Sequence, residues 1–303
     1  MLLYKFVSTQ RAITILESST IRFTQLAALN DPFESFPPIE GFVTKDSAFH
    51  ILDSILSNDN LVTALMEEIY KFMYENLPPE QKQLYDFQSF RSNVKASVDA
   101  NLAYGGNTLS SLVRTTLESR SDTFLPTMKQ NIITSIINKI CVLSLSTAIT
   151  NPVMWTYYAD SHRGMAIGFD PQDPFFSKYL EVQYQNERPK VDLFQIPDGE
   201  QEKLELAKAI LATKKTFWAQ EEEHRLINST ALLQDSHTLD SDGYPVFVAA
   251  FPNQSVREIV LGCNTPGKSK KYISELAANK YSHAILKVTI LDTQALQINF
   301  NTL

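Results

Sequence analysis

The chain opens on an alternation. Leu2, Tyr4 and Phe6 fall on one side and Leu3, Lys5 and Val7 on the other, a period of two that predicts a strand. Ser8 is a good N-cap for a short helix in which Ala12, Ile15 and Leu16 share a face, and Ile21 and Phe23 return to strand spacing. The stretch "ALNDPFESFPPIEGF" breaks any period, because Pro32, Pro37 and Pro38 forbid regular pairing. From about 45 to 139 apolar residues recur every three or four positions in "AFHILDSIL", "LVTALMEEIYKFMYENL", "FQSFRSNVKASVDANL" and "MKQNIITSIINK", which predicts helices. Strand character resumes at "ICVLSLSTA" and "GMAIGFD", then at "YLEVQYQ". A helix is predicted from about Glu200 to Thr216, with Leu204, Ala207 and Leu211 as its stripe. The last third reads as strands, "YPVFVAAF", "VREIVLG", "AILKVTI" and "LQINF", around one helix, "KSKKYISELAANKY". With no internal repeat and no linker, the pattern predicts one α+β domain over 1–303 that carries a helical insertion at about 45–139.

Composition narrows the function classes. A chain of 303 residues with 44% hydrophobic content can bury a sizeable core. The net charge of −7 supplies no global basic field, so nucleic acid and anionic lipid are not default partners, although a local basic groove stays open. The start "MLLYKFVSTQ" has no long apolar core, and nowhere do ~18 uncharged apolar residues run together, so the expectation is a cytoplasmic protein with no membrane span. Cys141 and Cys263 sit beside apolar strand residues and read as reduced, buried thiols. The five histidines show no close pair at ligand spacing, no Cys-x-x-Cys occurs, and no metal is expected. Walker, dinucleotide-glycine and Gly-x-Ser-x-Gly motifs are absent, and 9 glycines leave little for a glycine-rich phosphate cradle.

Four stretches carry candidate chemistry. In "FWAQEEEHRLIN" (217–228), a strand through "EEEHRLIN" would put Glu221, Glu223 and Arg225 on one face, so that the guanidinium orients one glutamate and keeps it ionised. The ordinary reading is a solvated charge run, but glutamate is a poor strand former and three together are hard to dismiss. In "SLSTAITNPVMWTYYADSHRGMAIGFD", Asn151-Pro152 starts a turn and Trp155, Tyr157 and Tyr158 can stack on a planar ring, or else fill the core. Gly164 and Gly168 mark places where backbone approaches another group closely. In "LNDPFE", Asn30 and Asp31 suit a turn, or Asp31 and Glu34 line a cleft. Finally, Tyr4 and Lys5 sit on the first strand, where the lysine either reaches an anion or snorkels to solvent.

In order and spacing these pieces resemble a bacterial family, domain of unknown function 2971. Its opening strand is matched at Leu3-Tyr4-Lys5-Phe6 and its Asn-Asp-Pro-Phe-Glu loop at Asn30 to Glu34. Its Met-Trp-x-x-Tyr-Ala segment is matched at Met154-Trp155 and Tyr158-Ala159, its Trp-x-x-Glu-x-Glu-x-Arg at Trp218, Glu221, Glu223 and Arg225, and a late Glu-Ile-x-Leu-Gly at Glu258 to Gly262. Ser144 stands where the family has cysteine and Tyr157 where histidine is common, so a mechanism through that thiol or imidazole lacks its group here.

The family name implies no activity. At one remove the layout resembles the ADP-ribosyltransferase superfamily, which implies a mixed or antiparallel β core and NAD as substrate. Under that likeness Lys5, with Tyr4, Asn30 and Asp31, contacts the dinucleotide; Ser146 supports the glutamate or the ribose; Trp155 or Tyr158 stacks on nicotinamide. Glu223 is then the catalytic carboxylate, assisted by Glu221 and Arg225. The acceptor would be a macromolecule or water, as for a toxin or phage-defence effector. Two other classes stay open. One is a nuclease holding Mg²⁺ on Asp31, Glu34, Glu221 and Glu223. The other is a non-enzymatic binding or sensor module.

Overall fold

The computed structural model describes residues 1–31, 33–34, 67, 70–71, 73–75, 77–103, 130, 133–134, 137–187, 189 and 199–303. The chain divides into two compact units, one made of Met1–Pro38, Ile132–Val191 and Pro197–Leu303, the other of Ile39–Asn131 and Asp192–Ile196. In chain order the described elements are β1 (Leu3–Val7), α1 (Thr9–Ser18), β2 (Thr20–Gln25), α2 (Phe87–Ala103), β3 (Ile140–Ser146), α3 (Pro152–Tyr157) and β4 (Met165–Phe169). There follow β5 (Tyr179–Glu181), β6 (Gln183–Gln185), α4 (Glu200–Leu211), β7 (Thr213–Lys215) and β8 (Glu223–Ser229). The chain closes with β9 (Gln234–Leu239), β10 (Pro245–Ala250), β11 (Val256–Leu261), α5 (Gly267–Lys280), β12 (Ile285–Asp292) and β13 (Gln297–Thr302). This is an α+β fold, as expected. Among the described residues no helix is long and apolar enough to cross a membrane.

The first unit is organised around β3. One edge of β3 pairs antiparallel with β8 along its whole length, from Ile140↔Ser229 to Ser146↔Glu223. Its other edge is shared. β2 meets it at Thr24↔Val142 and Gln25↔Cys141, and β1 meets it only at Tyr4↔Ser146. The sheet therefore forks at β3: one arm runs β1, β4, β11, β12, β13 and the other runs β2, β10, β9. At the fork Ser144 lacks a strand partner on that edge, and the ammonium of Lys5 donates to its carbonyl at 3.0 Å, so a backbone acceptor left by the diverging strands is satisfied.

Two apolar clusters cover the faces of the first arm. Leu3, Val7, Leu143, Leu145, Met165, Ile167 and Ile259 pack with Ala12, Ile15 and Leu16 of α1, with Ile273 and Ala277 of α5 and with Tyr281 at its C-cap. Tyr4, Phe6, Ala166, Val260 and Ile298 pack with Met154 and Trp155 of α3. Strand β4 is buried at all five positions, which explains why "MAIGF" is apolar without alternation. Ser8 caps α1 as its position predicts, and Asn151 caps α3, its side chain accepting from Val153 N at 2.9 Å with Pro152 opening the helix. In the second unit, Tyr74 lies edge-on to Phe87 of α2 with ring centroids 5.5 Å apart. The predicted helix "AFHILDSIL" lies outside the described residues, as do most of "LVTALMEEIYKFMYENL" and parts of "MKQNIITSIINK".

The pattern misplaced some boundaries. The helix predicted to reach Thr216 ends at Leu211, and Thr213–Lys215 instead forms a short parallel pair with β6, anchored by Gln183 N donating to Ala212 O at 2.7 Å. Tertiary pairing overrides the helical propensity of the lysines here. The strand β9, "QDSHTL", is polar and mostly exposed, so hydrophobic periodicity held no trace of it; its backbone pairing with β10 makes it a strand.

Both glycines flagged by the sequence meet their own chain. A Cβ on Gly168 would fall 2.8 Å from the Tyr4 ring, its cross-strand partner. A Cβ on Gly164 would fall 2.2 Å from the carbonyl oxygen of Val7 and 2.9 Å from that of Ala159. Because those neighbours are backbone they cannot step aside, and Gly164→Ala should destabilise the fold by about 2–4 kcal/mol. Urea unfolding followed by circular dichroism tests this; an unchanged midpoint would show that the β1 and β4 backbones give way.

Candidate functional site

The β8 end of the sheet holds a buried group of charges. Glu221 closes the 3₁₀ turn Thr216–Glu221, Glu222 takes a left-handed conformation (φ 45°, ψ 52°), and β8 begins at Glu223. The expected strand through all three glutamates is thus corrected: Glu221 lies outside it, and the kink at Glu222 turns that residue out to solvent. The kink is held because Thr147 donates through its amide to the Glu222 carbonyl at 3.3 Å and through its hydroxyl to the Glu222 carboxylate at 2.6 Å. Glu223 and Arg225 do share a face of β8, as period two requires.

Arg225 is 2% exposed and grips Glu223 with two bonds, Nε to Oε1 at 2.8 Å and Nη2 to Oε2 at 3.0 Å. Its Nη1 donates to the Leu211 carbonyl at 3.0 Å, and its Nη2 also bonds Glu34 Oε2. Lys214, on β7, sets its ammonium among three carboxylates: Glu221 at 2.7 Å, Glu34 at 3.1 Å and Glu223 at 3.3 Å. All five side chains are buried. Burial alone would raise the Glu223 carboxyl above the usual range, but Arg225 and Lys214 outweigh it and, with a hydrogen bond from Ser144, hold it at about 2. The same carboxylates raise Lys214 and Arg225 above their ordinary values against the opposing effect of burial. Glu223, Lys214 and Arg225 are thus each held in the charged form although buried.

Polar side chains fasten this group to the sheet. Tyr158, at the C-cap of α3, donates to Glu221 Oε1 at 2.6 Å, and burial followed by that bond pushes its phenol up. Ser146 donates to the Glu221 carbonyl at 2.6 Å and accepts from Ala148 N at 3.0 Å. The Tyr184 hydroxyl accepts from Glu223 N at 2.8 Å; burial raises its pKa to about 12. Asn151, besides capping α3, donates to Gln220 O at 2.6 Å and so ties the helix to the 3₁₀ turn. Asp31 accepts from the Trp218 indole at 3.1 Å, and Lys214 lies 5.1 Å from the centroid of that ring. Lys5 reaches the neighbourhood from the fork. Its ammonium is enclosed, and desolvation, partly offset by Glu223, pulls it down to about 8.

Of the residues singled out by sequence, the fold therefore brings together Glu221, Glu223, Arg225, Tyr158, Ser146, Asp31 and Glu34, with Lys5 at the fork. Trp155 is corrected to the core. It is 0% exposed, its indole donates to Ile149 O at 2.7 Å, and it packs between Phe6 and His162, so no ligand can stack on it. Tyr4 is likewise corrected: its ring belongs to the same apolar cluster and its hydroxyl donates to Glu258 at 2.8 Å, which in turn pairs with Lys287. Asn30 is exposed at the bend before Asp31. Lys214 was missed because "ATKKTFW" reads as a helix end, where a lysine is a solvated charge; nothing local marks it. The four carboxylates proposed as magnesium ligands converge only in part. Glu34, Glu221 and Glu223 meet at the Lys214 ammonium, while Asp31 is engaged by Trp218 and by Phe33 N at 2.9 Å. Among the described residues no group of side chains is arranged to hold a metal ion.

No curated protein and no solved structure matches the chain. A family model does: protein of unknown function DUF2971 matches residues 154–226. That segment runs from α3 into β8 and supplies Tyr158, Lys214, Glu221, Glu223 and Arg225. Across residues 154–226, less than half of its length, the chain is similar to the DUF2971 family.

Proposed function

We propose that the protein is an ADP-ribosyltransferase-like enzyme that breaks the glycosidic bond of NAD, passing the ADP-ribosyl group to an acceptor macromolecule or to water. The observation that carries this reading is Glu223: a carboxylate kept ionised at about 2, oriented by a bidentate guanidinium and a lysine, and shielded from water. Cleavage of the nicotinamide–ribose bond develops positive oxocarbenium character, which a fixed carboxylate stabilises more than it stabilises the ground state. The order of parts also supports the reading: a lysine on β1, serines on β3 and the acid on β8, all adjoining through the β3 hub. In this scheme Arg225 and Lys214 are positioning residues, Tyr158 holds Glu221, and the nicotinamide finds its ring partner elsewhere than Trp155. Two free cysteines fit a cytoplasmic setting for such an enzyme.

Incubation with NAD and measurement of released nicotinamide tests the proposal. Glu223→Gln should lower turnover by ~10²–10³. Because the substitution also strips Arg225 and Lys214 of a buried partner, Tyr158→Phe serves as a gentler companion that keeps all five charges and loosens only Glu221; it should lower kcat about tenfold while the melting temperature falls by only a few degrees. Wild-type protein that leaves NAD intact at every acceptor and salt condition would remove the proposal.

The ionisation of the site also fixes its pH behaviour. The folded-state value of Glu223 lies below the usual 4.5, so its contribution to stability, on the order of 3 kcal/mol, is present above pH 4.5 and lost as pH falls toward 2. Lys5 has the opposite character. Its folded value of about 8 lies below the ordinary 10.5, so the unfolded chain binds more protons between these values and stability contributed by this group rises with pH through that window. Urea titrations at pH 7 and pH 9.5 should show that the gain on raising pH is smaller in Lys5→Met than in wild type. Equal gains would mean that the ammonium is solvated.

A further inference from the structure

We propose that Arg225 and Lys214 form an oxyanion site shaped for a phosphate group, and that Glu34 fills it as a built-in stand-in for the ligand. The proposal rests on the dinucleotide reading only in naming the diphosphate of a nucleotide as the natural occupant.

Charge matching separates Glu34 from its neighbours. Arg225 already holds Glu223 through two bonds at 2.8 and 3.0 Å, and Lys214 already holds Glu221 at 2.7 Å. These are two ion pairs, built from β7, the 3₁₀ turn after it and the start of β8. Glu34 is a third buried acid beyond them. Its Oε2 accepts from Arg225 Nη2 and its Oε1 from Lys214 Nζ at 3.1 Å, so one carboxylate bridges a guanidinium and an ammonium with one oxygen on each. That is the donor arrangement that receives adjacent oxygens of a phosphate. The third cation of the region, Lys5, gives its ammonium to the Ser144 carbonyl at 3.0 Å, so Glu34 takes its bonds from two donors that already serve Glu223 and Glu221.

The origin of Glu34 makes it the member that can leave. The other four side chains stand on β7, on β8 or on the turn between them, whereas Glu34 comes from an irregular loop. It ends a turn closed by its own amide on Asp31 O at 2.9 Å, and Phe33 and Asn30 beside it are exposed. Among the described residues of this loop, Asp31 is a further anchor to the sheet, accepting from the Trp218 indole at 3.1 Å. Displacing Glu34 returns a carboxylate to water and leaves two donors facing the vacated position, with the Glu221 and Glu223 pairs intact. Opening breaks the two bonds of Glu34, and an incoming phosphate oxygen pair restores both donors.

The test is binding of inorganic pyrophosphate and of ADP-ribose by calorimetry at low ionic strength, in wild type and in Glu34→Ala. Removal of the competing carboxylate should tighten pyrophosphate by about tenfold or more, since the wild-type site is free only in the minority of molecules whose loop is open. Tighter binding of ADP-ribose than of pyrophosphate by the variant would assign the site to a nucleotide, and equal binding to a free diphosphate. A folded Glu34→Ala protein that binds neither anion better than wild type overturns the proposal. If that variant does not fold, wild-type protein titrated with pyrophosphate decides the matter through Trp218 fluorescence, with Trp218→Phe as the blank: a saturable change supports displacement of Glu34, and a flat response overturns it. Pyrophosphate binding without nicotinamide release would sink NAD chemistry and keep the anion site; nicotinamide release with no effect of Glu34 would do the reverse.

Discussion

The guanidinium of Arg225 is the interaction on which the local structure depends. It is joined to Glu223 on its own strand, to Glu34 on the loop after β2 and to the last carbonyl of α4 at Leu211. Three segments distant in sequence are thereby fixed to one planar group, which a lysine's point charge could not do. A buried ionic group of this kind is weak support for stability in itself, because desolvation consumes most of the Coulomb attraction. Loss of one partner is costly all the same, since the others remain buried and unmatched. The arrangement therefore specifies which loop packs against which strand more than it strengthens the packing.

The fork at β3 gives that group its setting. A strand paired along its full length on one edge, and on the other shared between two diverging neighbours, leaves a gap that β-sheet hydrogen bonding does not fill. The chain closes the gap with the side chain of Lys5 and lines the adjoining end of the sheet with Ser144, Ser146 and Tyr158. Polar groups gather there because backbone carbonyls there need partners, and the same need brings an ammonium and several hydroxyls within reach of an ionised acid. A carboxylate that stays charged while buried depends on such a place, and a purely apolar core offers none.

Helix α3 shows how one short motif serves two ends. Asn151 and Pro152 start it, Met154 and Trp155 turn into the apolar cluster beneath β1, and Tyr158 at its end turns to Glu221. The motif Met-Trp-x-x-Tyr thus reads as a unit in sequence, although its tryptophan secures the helix and only its tyrosine meets the charges. Residues that share a motif share a reason to be kept together, and that reason need not be the same chemistry for each.

The sequence by itself determined the elements whose faces differ in polarity. β1, α1, β3, β4, β11 and α5 are legible because one-sided or two-sided burial writes itself into the spacing of apolar residues, and Glu223 and Arg225 share a face because strand periodicity leaves no choice. The Asn-Asp-Pro-Phe-Glu loop and the Trp-x-x-Glu-x-Glu-x-Arg stretch were visible as charged motifs for the same local reason. Only the tertiary structure decided that these two motifs meet, that Lys214 stands between their carboxylates, that Glu221 leaves the strand through a left-handed Glu222, and that Trp155 and Tyr4 belong to the core. Each of those facts depends on contacts between segments far apart in the chain. Local spacing fixes which way a side chain points from its own element, whereas what it meets there depends on where the other elements fall.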